Sequence, residues 1–160
     1  MRLPETSGTY VLWLASRSTT PSRIGKLGTM ILQPGIYAYV GSALGPGGLA
    51  ARLRHHFRTA TRPHWHIDYL RQQLVIEEVW YACGEERLEH RWAGSLQRRV
   101  LVSVPLQGFG SSDCDCPSHL FFMRALPSLS KGRAILQDPE MKMEIQALRP
   151  PGQEWNVPCG

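Results

Sequence analysis

Thr9 to Ala15 reads Thr-Tyr-Val-Leu-Trp-Leu-Ala, an unbroken run of β-branched, aromatic and aliphatic side chains that predicts a strand. The polar, proline-containing stretch 16–22 predicts a turn. Residues 23–32 carry Ile24, Leu27, Met30 and Ile31 among two glycines, the pattern of a second strand or a short hairpin. Pro34-Gly35 punctuates the chain, and 36–40 alternates around two tyrosines as a further strand. The period then changes. Leu49, Leu53 and Phe57 form a four-residue stripe that predicts a helix over 49–57, after a Gly45-Pro46-Gly47-Gly48 loop that cannot be helical throughout. Arg52 and His56 flank the stripe on one side, Arg54 and Arg58 on the other. A second helix is expected over 66–74, buried through Ile67, Leu70 and Leu74, and a strand over 75–83. Leu88, Trp92 and Leu96 predict a third helix over 87–100. A glycine-containing loop over 105–112 precedes a short strand at 119–123. Residues 137–148 suit a last helix, and a loose tail is expected from Pro150 onward.

Strands first, then helices and strands mixed, imply an α/β or α+β layer: a small mixed or antiparallel sheet of three to four strands flanked by helices. The chain has 160 residues, enough for one core. Residues 1–124 are expected to form the main domain and 125–160 a partly helical extension ending in the tail. No apolar run approaches a membrane span, and the first residues lack a signal-peptide core. Cys83, Cys114, Cys116 and Cys159 are too few and too scattered for a disulfide framework. These features fit a reducing cytoplasm and no membrane partner.

Charge changes the picture more through its placement than its total of +5. Between Thr6 and Ile67 there is no acidic residue, while Arg17, Arg23, Lys26, Arg52, Arg54, Arg58 and Arg62 fall in that stretch. An acid-free half suits a polyanion such as nucleic acid, and equally describes a solvated basic face. Tryptophans Trp13, Trp65, Trp80, Trp92 and Trp155 read as core or interface aromatics.

Three constellations carry candidate chemistry. The first is Tyr10, Tyr39, Arg52, His56 and Glu89. Phosphodiester hydrolysis needs an activated water, a cation on the phosphate and help for the leaving oxygen. An arginine gives a bidentate clamp, a lone carboxylate with waters suits Mg²⁺, and a tyrosine can serve as base only if neighbours lower its pKa. The second is His64-Trp65-His66-Ile67-Asp68. On a strand, positions 64, 66 and 68 would share one face and could ligate a transition metal. On a helix start, His66 or Asp68 would sit near the cap with Trp65 in the core. A third reading extends the phosphate-facing site through the histidines. The third constellation, Asp113-Cys114-Asp115-Cys116-Pro117-Ser118-His119, offers Cys-x-Cys-x-x-His as three zinc ligands, with Cys83 or Cys159 as a fourth; otherwise its cysteines are buried under a turn.

Gly8-Thr9-Tyr10, then Tyr39-Val40-Gly41-Ser42, then Arg52-Leu53-Arg54-His55-His56, then Leu88-Glu89 resemble, in order, the signatures of the GIY-YIG nuclease superfamily, over a little more than half the chain. The stretches Tyr-Val-Gly-Ser-Ala-Leu-Gly-Pro-Gly-Gly-Leu, His-Trp-His-Ile-Asp-Tyr-Leu and Gly-Phe-Gly-Ser-Ser-Asp-Cys resemble one uncharacterised branch of it, a domain of unknown function whose members sometimes stand beside or fused to DNA-repair glycosylases. The resemblance implies a metal-dependent endonuclease acting on DNA, and the sequence leaves RNA open as the alternative substrate. It casts Tyr39 as general base, Tyr10 as its neighbour across the sheet, Arg52 as phosphate clamp, and His56 as the group tuning a tyrosine or placing water. Glu89 would be the ligand of Mg²⁺ or Mn²⁺, with Glu85 and Glu86 as rivals. Lys26, Ser42, Arg54, Arg58, Arg62, His64 and His66 are the nucleic-acid-binding candidates, and Asp68, Asp113 and His119 the site's edge. The sequence departs from the superfamily in its longer loop at 45–48 and in lacking a Pro-x-Tyr-Asn segment. Two other classes fit the same residues: a binding module of this fold without hydrolysis, and a zinc-stabilised interaction protein.

Overall fold

The central strand is apolar on both faces and has a layer packed on each. The computed structural model describes residues 2–151. β1 (Gly8–Ser16) pairs antiparallel with β4 (Gly35–Ala43) on one side and with β5 (Val75–Cys83) on the other. β6 (Leu120–Met123) extends the sheet beyond β4, and β7 (Gln146–Leu148) extends it beyond β5. The order is β6-β4-β1-β5-β7, five antiparallel strands. A separate hairpin joins β2 (Thr20–Ile24) to β3 (Gly28–Leu32). Four helices complete the fold: α1 (Gly48–Phe57), α2 (His66–Arg71), α3 (Glu89–Gln97) and α4 (Leu129–Leu136). The α+β class expected from the sequence is the class observed; the hairpin option for 23–32 is realised, but its first strand begins at Thr20, inside the stretch 16–22 expected as a turn.

Alternation along β1 sorts side chains to two cores. Tyr10, Leu12 and Leu14 face a core completed by Ile24, Leu32, Leu49, Leu53, Ile67 and Leu70, from the hairpin, α1 and α2. Val11 and Trp13 face the other core, with Trp80, Trp92, Leu96, Phe121 and Leu136, where α3 and α4 pack. Burial on both faces explains why the run 9–15 reads as uninterrupted apolar sequence rather than as a half-wet strand.

The sheet has two edge strands beyond the central three, one more than the upper count expected. The additional strand is β7, and it corrects the helix expected over 137–148. The helix in this region lies earlier, at Leu129–Leu136, capped by the Ser128 hydroxyl, which accepts from the Lys131 amide. Asp138 then accepts from the Glu140 and Met141 amides, a turn that diverts the chain away from a helix. Met141 and Ile145 join the second core. Helices 2 and 3 are shorter than their patterns suggested, ending at Arg71 and Gln97. Of the tail expected from Pro150 onward, the part from residue 152, with Trp155 and Cys159, lies outside the described residues. No helix among them is long and apolar enough to cross a membrane.

Candidate functional site

Two glycines in the tyrosine motifs exist because of close contacts. A Cβ on Gly41 would stand 2.5 Å from Cζ of Tyr10, its partner in the β1–β4 register. A Cβ on Gly8 would stand 2.5 Å from Leu49 Cδ1 and 2.6 Å from the Ala82 carbonyl. The motifs therefore let α1 and the Tyr10 phenol lie directly on the sheet. Tyr10 and Tyr39 project from the same sheet face, because Tyr39 pairs with Leu12, two residues along from Tyr10.

Tyr10, Tyr39, Ser42, Arg52 and Glu89 line one cavity of about 420 Å³, together with Gly41, Trp65, Arg87, His90, Gly110, Asp113 and Cys114. His56 sits one turn beyond Arg52 and is 1% exposed. Its Nε2 shares a 2.7 Å hydrogen bond with the Tyr10 hydroxyl, and its ring meets Tyr39 edge-on at 6.2 Å. Four of the five residues singled out as catalytic thus face one space, and the fifth supports it from behind. Glu89 begins α3, so its carboxylate lies at the helix's electropositive end.

The electrostatics correct one expectation. Burial pushes the Tyr10 and Tyr39 phenols well above their ordinary range, and the charge of Glu89 adds to this; Arg52 opposes it without prevailing. Both tyrosines are neutral hydroxyls, not lowered-pKa bases. His56 is neutral too, lowered to about 3 by burial first and then by His55 and Arg52. Its Nδ1 is buried without a hydrogen-bond partner. Glu89 is ionised. Burial alone would raise its carboxyl, but bonds from His119 and Ser42 outweigh that and hold it below the usual carboxylate range. The His119 ring, 2% exposed, brings Nδ1 to 2.8 Å from Glu89 Oε1.

The second constellation folds as a helix start. Asp68 accepts from the His64 and Trp65 amides at 2.9 and 3.0 Å and from the His55 ring at 2.8 Å. The strand-based metal site at 64, 66 and 68 is therefore not formed. His66 instead accepts the Gly110 amide at 2.9 Å, fastening the loop that edges the cavity. Trp65 is not in the core; it is 38% exposed and the Arg52 guanidinium lies 4.4 Å over its ring, a cation–π contact that fixes the arginine at the cavity mouth. Asp68 and His64 stand outside the cavity lining. Arg54 and Arg58 line a separate recess with His55, Lys26 occupies the β2–β3 turn, and Arg62 follows α1. Glu86 pairs with Arg91 at 3.0 Å and, like Glu85, does not line the cavity.

The third constellation meets a residue that the sequence reading passed over. His90, Cys114, Cys116 and His119 present ligand atoms that all lie within 4.8 Å of one another. Neither the spacing nor the helical stripe signalled His90, because α3 places it one residue after Glu89 on a different face. Of the two cysteines offered as a fourth member, Cys83 is not in the group, and Cys159 lies outside the described residues. Arg87 and Trp65 were also missed as cavity residues. Only the fold brings them there.

The family described as "Domain of unknown function DUF123" matches residues 9–137. The chain belongs to this family. The DUF123 match runs from β1 through α4, so every cavity residue falls inside it, while β7 lies beyond. No curated protein and no solved structure matches the chain.

Proposed function

We propose that this DUF123 protein is a divalent-metal-dependent endonuclease of the GIY-YIG type that hydrolyses phosphodiester bonds in DNA, in repair or processing. The observation that carries this reading is the convergence of Tyr10, Tyr39, Arg52 and Glu89, from four separate elements, on one cavity with His56 bonded behind Tyr10. These are the five positions that resemble the superfamily's signatures. The acid-free stretch from Thr6 to Ile67 supports a phosphate partner.

Arg52, steadied by Trp65, clamps the scissile phosphate. The residues fit a hard cation: Glu89 is held as a carboxylate, the Ser42 hydroxyl stands beside it, and the cavity has room for retained waters, as Mg²⁺ or Mn²⁺ requires. A bound ion there would polarise the phosphate and acidify an attacking water. The neutral Tyr39 hydroxyl orients that water as a donor and acceptor. The hydrogen bond between Tyr10 and the neutral His56 holds the Tyr10 hydroxyl in place behind that water.

Incubation with branched, single-stranded and duplex DNA plus Mg²⁺ or Mn²⁺ tests the reading. Wild-type protein is expected to cut, Arg52→Ala to lose roughly 10²–10³-fold in rate, as for loss of a charge-stabilising donor, and Glu89→Ala to lose cutting altogether. Absence of cutting by wild type, or equal cutting by Glu89→Ala, removes the enzyme reading. A non-catalytic nucleic-acid-binding module is the second reading, favoured by the strongly protonated phenols. It predicts salt-sensitive binding without metal-dependent cleavage.

A further inference from the structure

We propose that His90, Cys114, Cys116 and His119 form a four-coordinate structural site for a zinc-class transition metal, placed against the wall of the cavity. The donor set is two thiols and two imidazoles drawn from two segments: the first turn of α3, and the loop before β6, whose last residue is His119. His90 Nδ1 lies 3.0 Å from Cys116 Sγ, and His119 Nε2 lies 3.4 Å from Cys114 Sγ. A tetrahedral ion with Zn–S of about 2.3 Å and Zn–N of about 2.0–2.1 Å separates its ligands by roughly 3.3–3.8 Å. Two of the pairs lie close to that spacing and all four ligand atoms lie within 4.8 Å of one another, so modest side-chain movements would bring them onto one ion. Sulfur and imidazole nitrogen select zinc-like ions over Mg²⁺ or Ca²⁺. Cys114 and Cys116 are both free thiols.

Two further observations point to an ion. His119 turns Nε2 toward the thiols and Nδ1 toward the Glu89 carboxylate at 2.8 Å. A metal-bound histidine characteristically has its other ring nitrogen held by a carboxylate, which fixes both tautomer and ring orientation. In addition, residues 105–118 contain no helix or strand, yet they carry Gly110, Asp113 and Cys114 to the cavity wall. A metal clip between this loop and α3 closes a long segment at a fixed point. Four protein ligands leave no open position, so the ion's task is architectural. It sets the loop and, through His119, the Glu89 carboxylate. The site does not depend on what the cavity does, so loss of nuclease activity and loss of this metal are separate results.

The test uses the full chain. Metal analysis of purified protein is expected to give about one zinc per chain, and Co²⁺ added to chelator-stripped protein to give the thiolate charge-transfer and ligand-field bands of a tetrahedral sulfur–nitrogen site. Cys116→Ser and His90→Ala are expected to lose the stoichiometric ion, whereas Cys83→Ser and Cys159→Ser keep it. For variants that do not fold, alkylation mapping of the wild type decides: bound metal shields Cys114 and Cys116, and stripping exposes them, while Cys83 labels alike in both. Failure of stripped protein to bind one Zn²⁺ or Co²⁺, an unchanged ion in Cys116→Ser and His90→Ala, or labelling of Cys114 and Cys116 that ignores metal overturns the proposal.

Discussion

Tyr10 illustrates how a single contact joins motif, packing and site chemistry. Its phenol fits only because residue 41 lacks a Cβ, and its hydroxyl holds His56. Gly41→Ala is expected to drive the ring aside and destabilise the protein by roughly 1–3 kcal/mol, the usual cost of overpacking, measured by urea denaturation. The buried His56 sets a pH dependence. Its ordinary value of 6.5 falls to about 3 in the fold, so the unfolded chain binds a proton that the folded chain refuses between those limits. Stability should therefore fall as pH drops from about 6.5. His56→Gln should flatten this slope between about pH 6.5 and 4.5, above the range where carboxylates titrate. Asp68 acts lower. Burial alone would raise it, but the amides of His64 and Trp65 and the His55 ring hold it below its ordinary value of 3.8. Its contribution is complete above that ordinary value and is lost as pH falls through the lower folded one. Asp68→Ala should cost about 1.5–3 kcal/mol at neutral pH, the worth of bonds to a buried charge, and the gap to wild type should close in strong acid.

At the level of elements, β1 and β4 set the two phenols and α1 sets Arg52 and His56, because four residues is close to one helical turn. This much could be read from Tyr10, Tyr39 and the Leu49–Leu53–Phe57 stripe. The far end of the chain could not. Residues 137–148 carry an apolar scatter that suits a helix, but the Asp138 turn and the free edge of β5 prevail, and the segment ends as β7. Tertiary pairing overrode local preference. Ile145 is fully buried in the core beneath α3 and α4. Ile145→Ala should therefore cost about 2–5 kcal/mol, the range for deleting a buried aliphatic side chain. A cost near zero in thermal or denaturant unfolding would mean that this segment is dispensable to the fold.

Across the whole molecule, the basic N-terminal half supplies Arg52 and the acidic remainder supplies Glu89, and the cavity lies where the two meet. If DNA tracks the basic half, Arg54→Ala, Arg58→Ala and Arg62→Ala together should lower the salt dependence of binding by about two to three in slope, since each phosphate contact contributes roughly 0.9. Fluorescence anisotropy over a salt series reads this directly, and an unchanged slope would place the DNA elsewhere. What the sequence determined by itself is local: a strand that must be apolar on both faces, glycines where two elements press together, and an arginine and histidine one turn apart. Those follow from period and side-chain size, which neighbours along the chain define. The tertiary structure alone decided that Trp65 leaves the core to stack on Arg52, that His90 completes the Cys114–Cys116–His119 cluster, and that burial keeps both tyrosines protonated. Each depends on distances between segments far apart in sequence, and on how completely the fold excludes water from them.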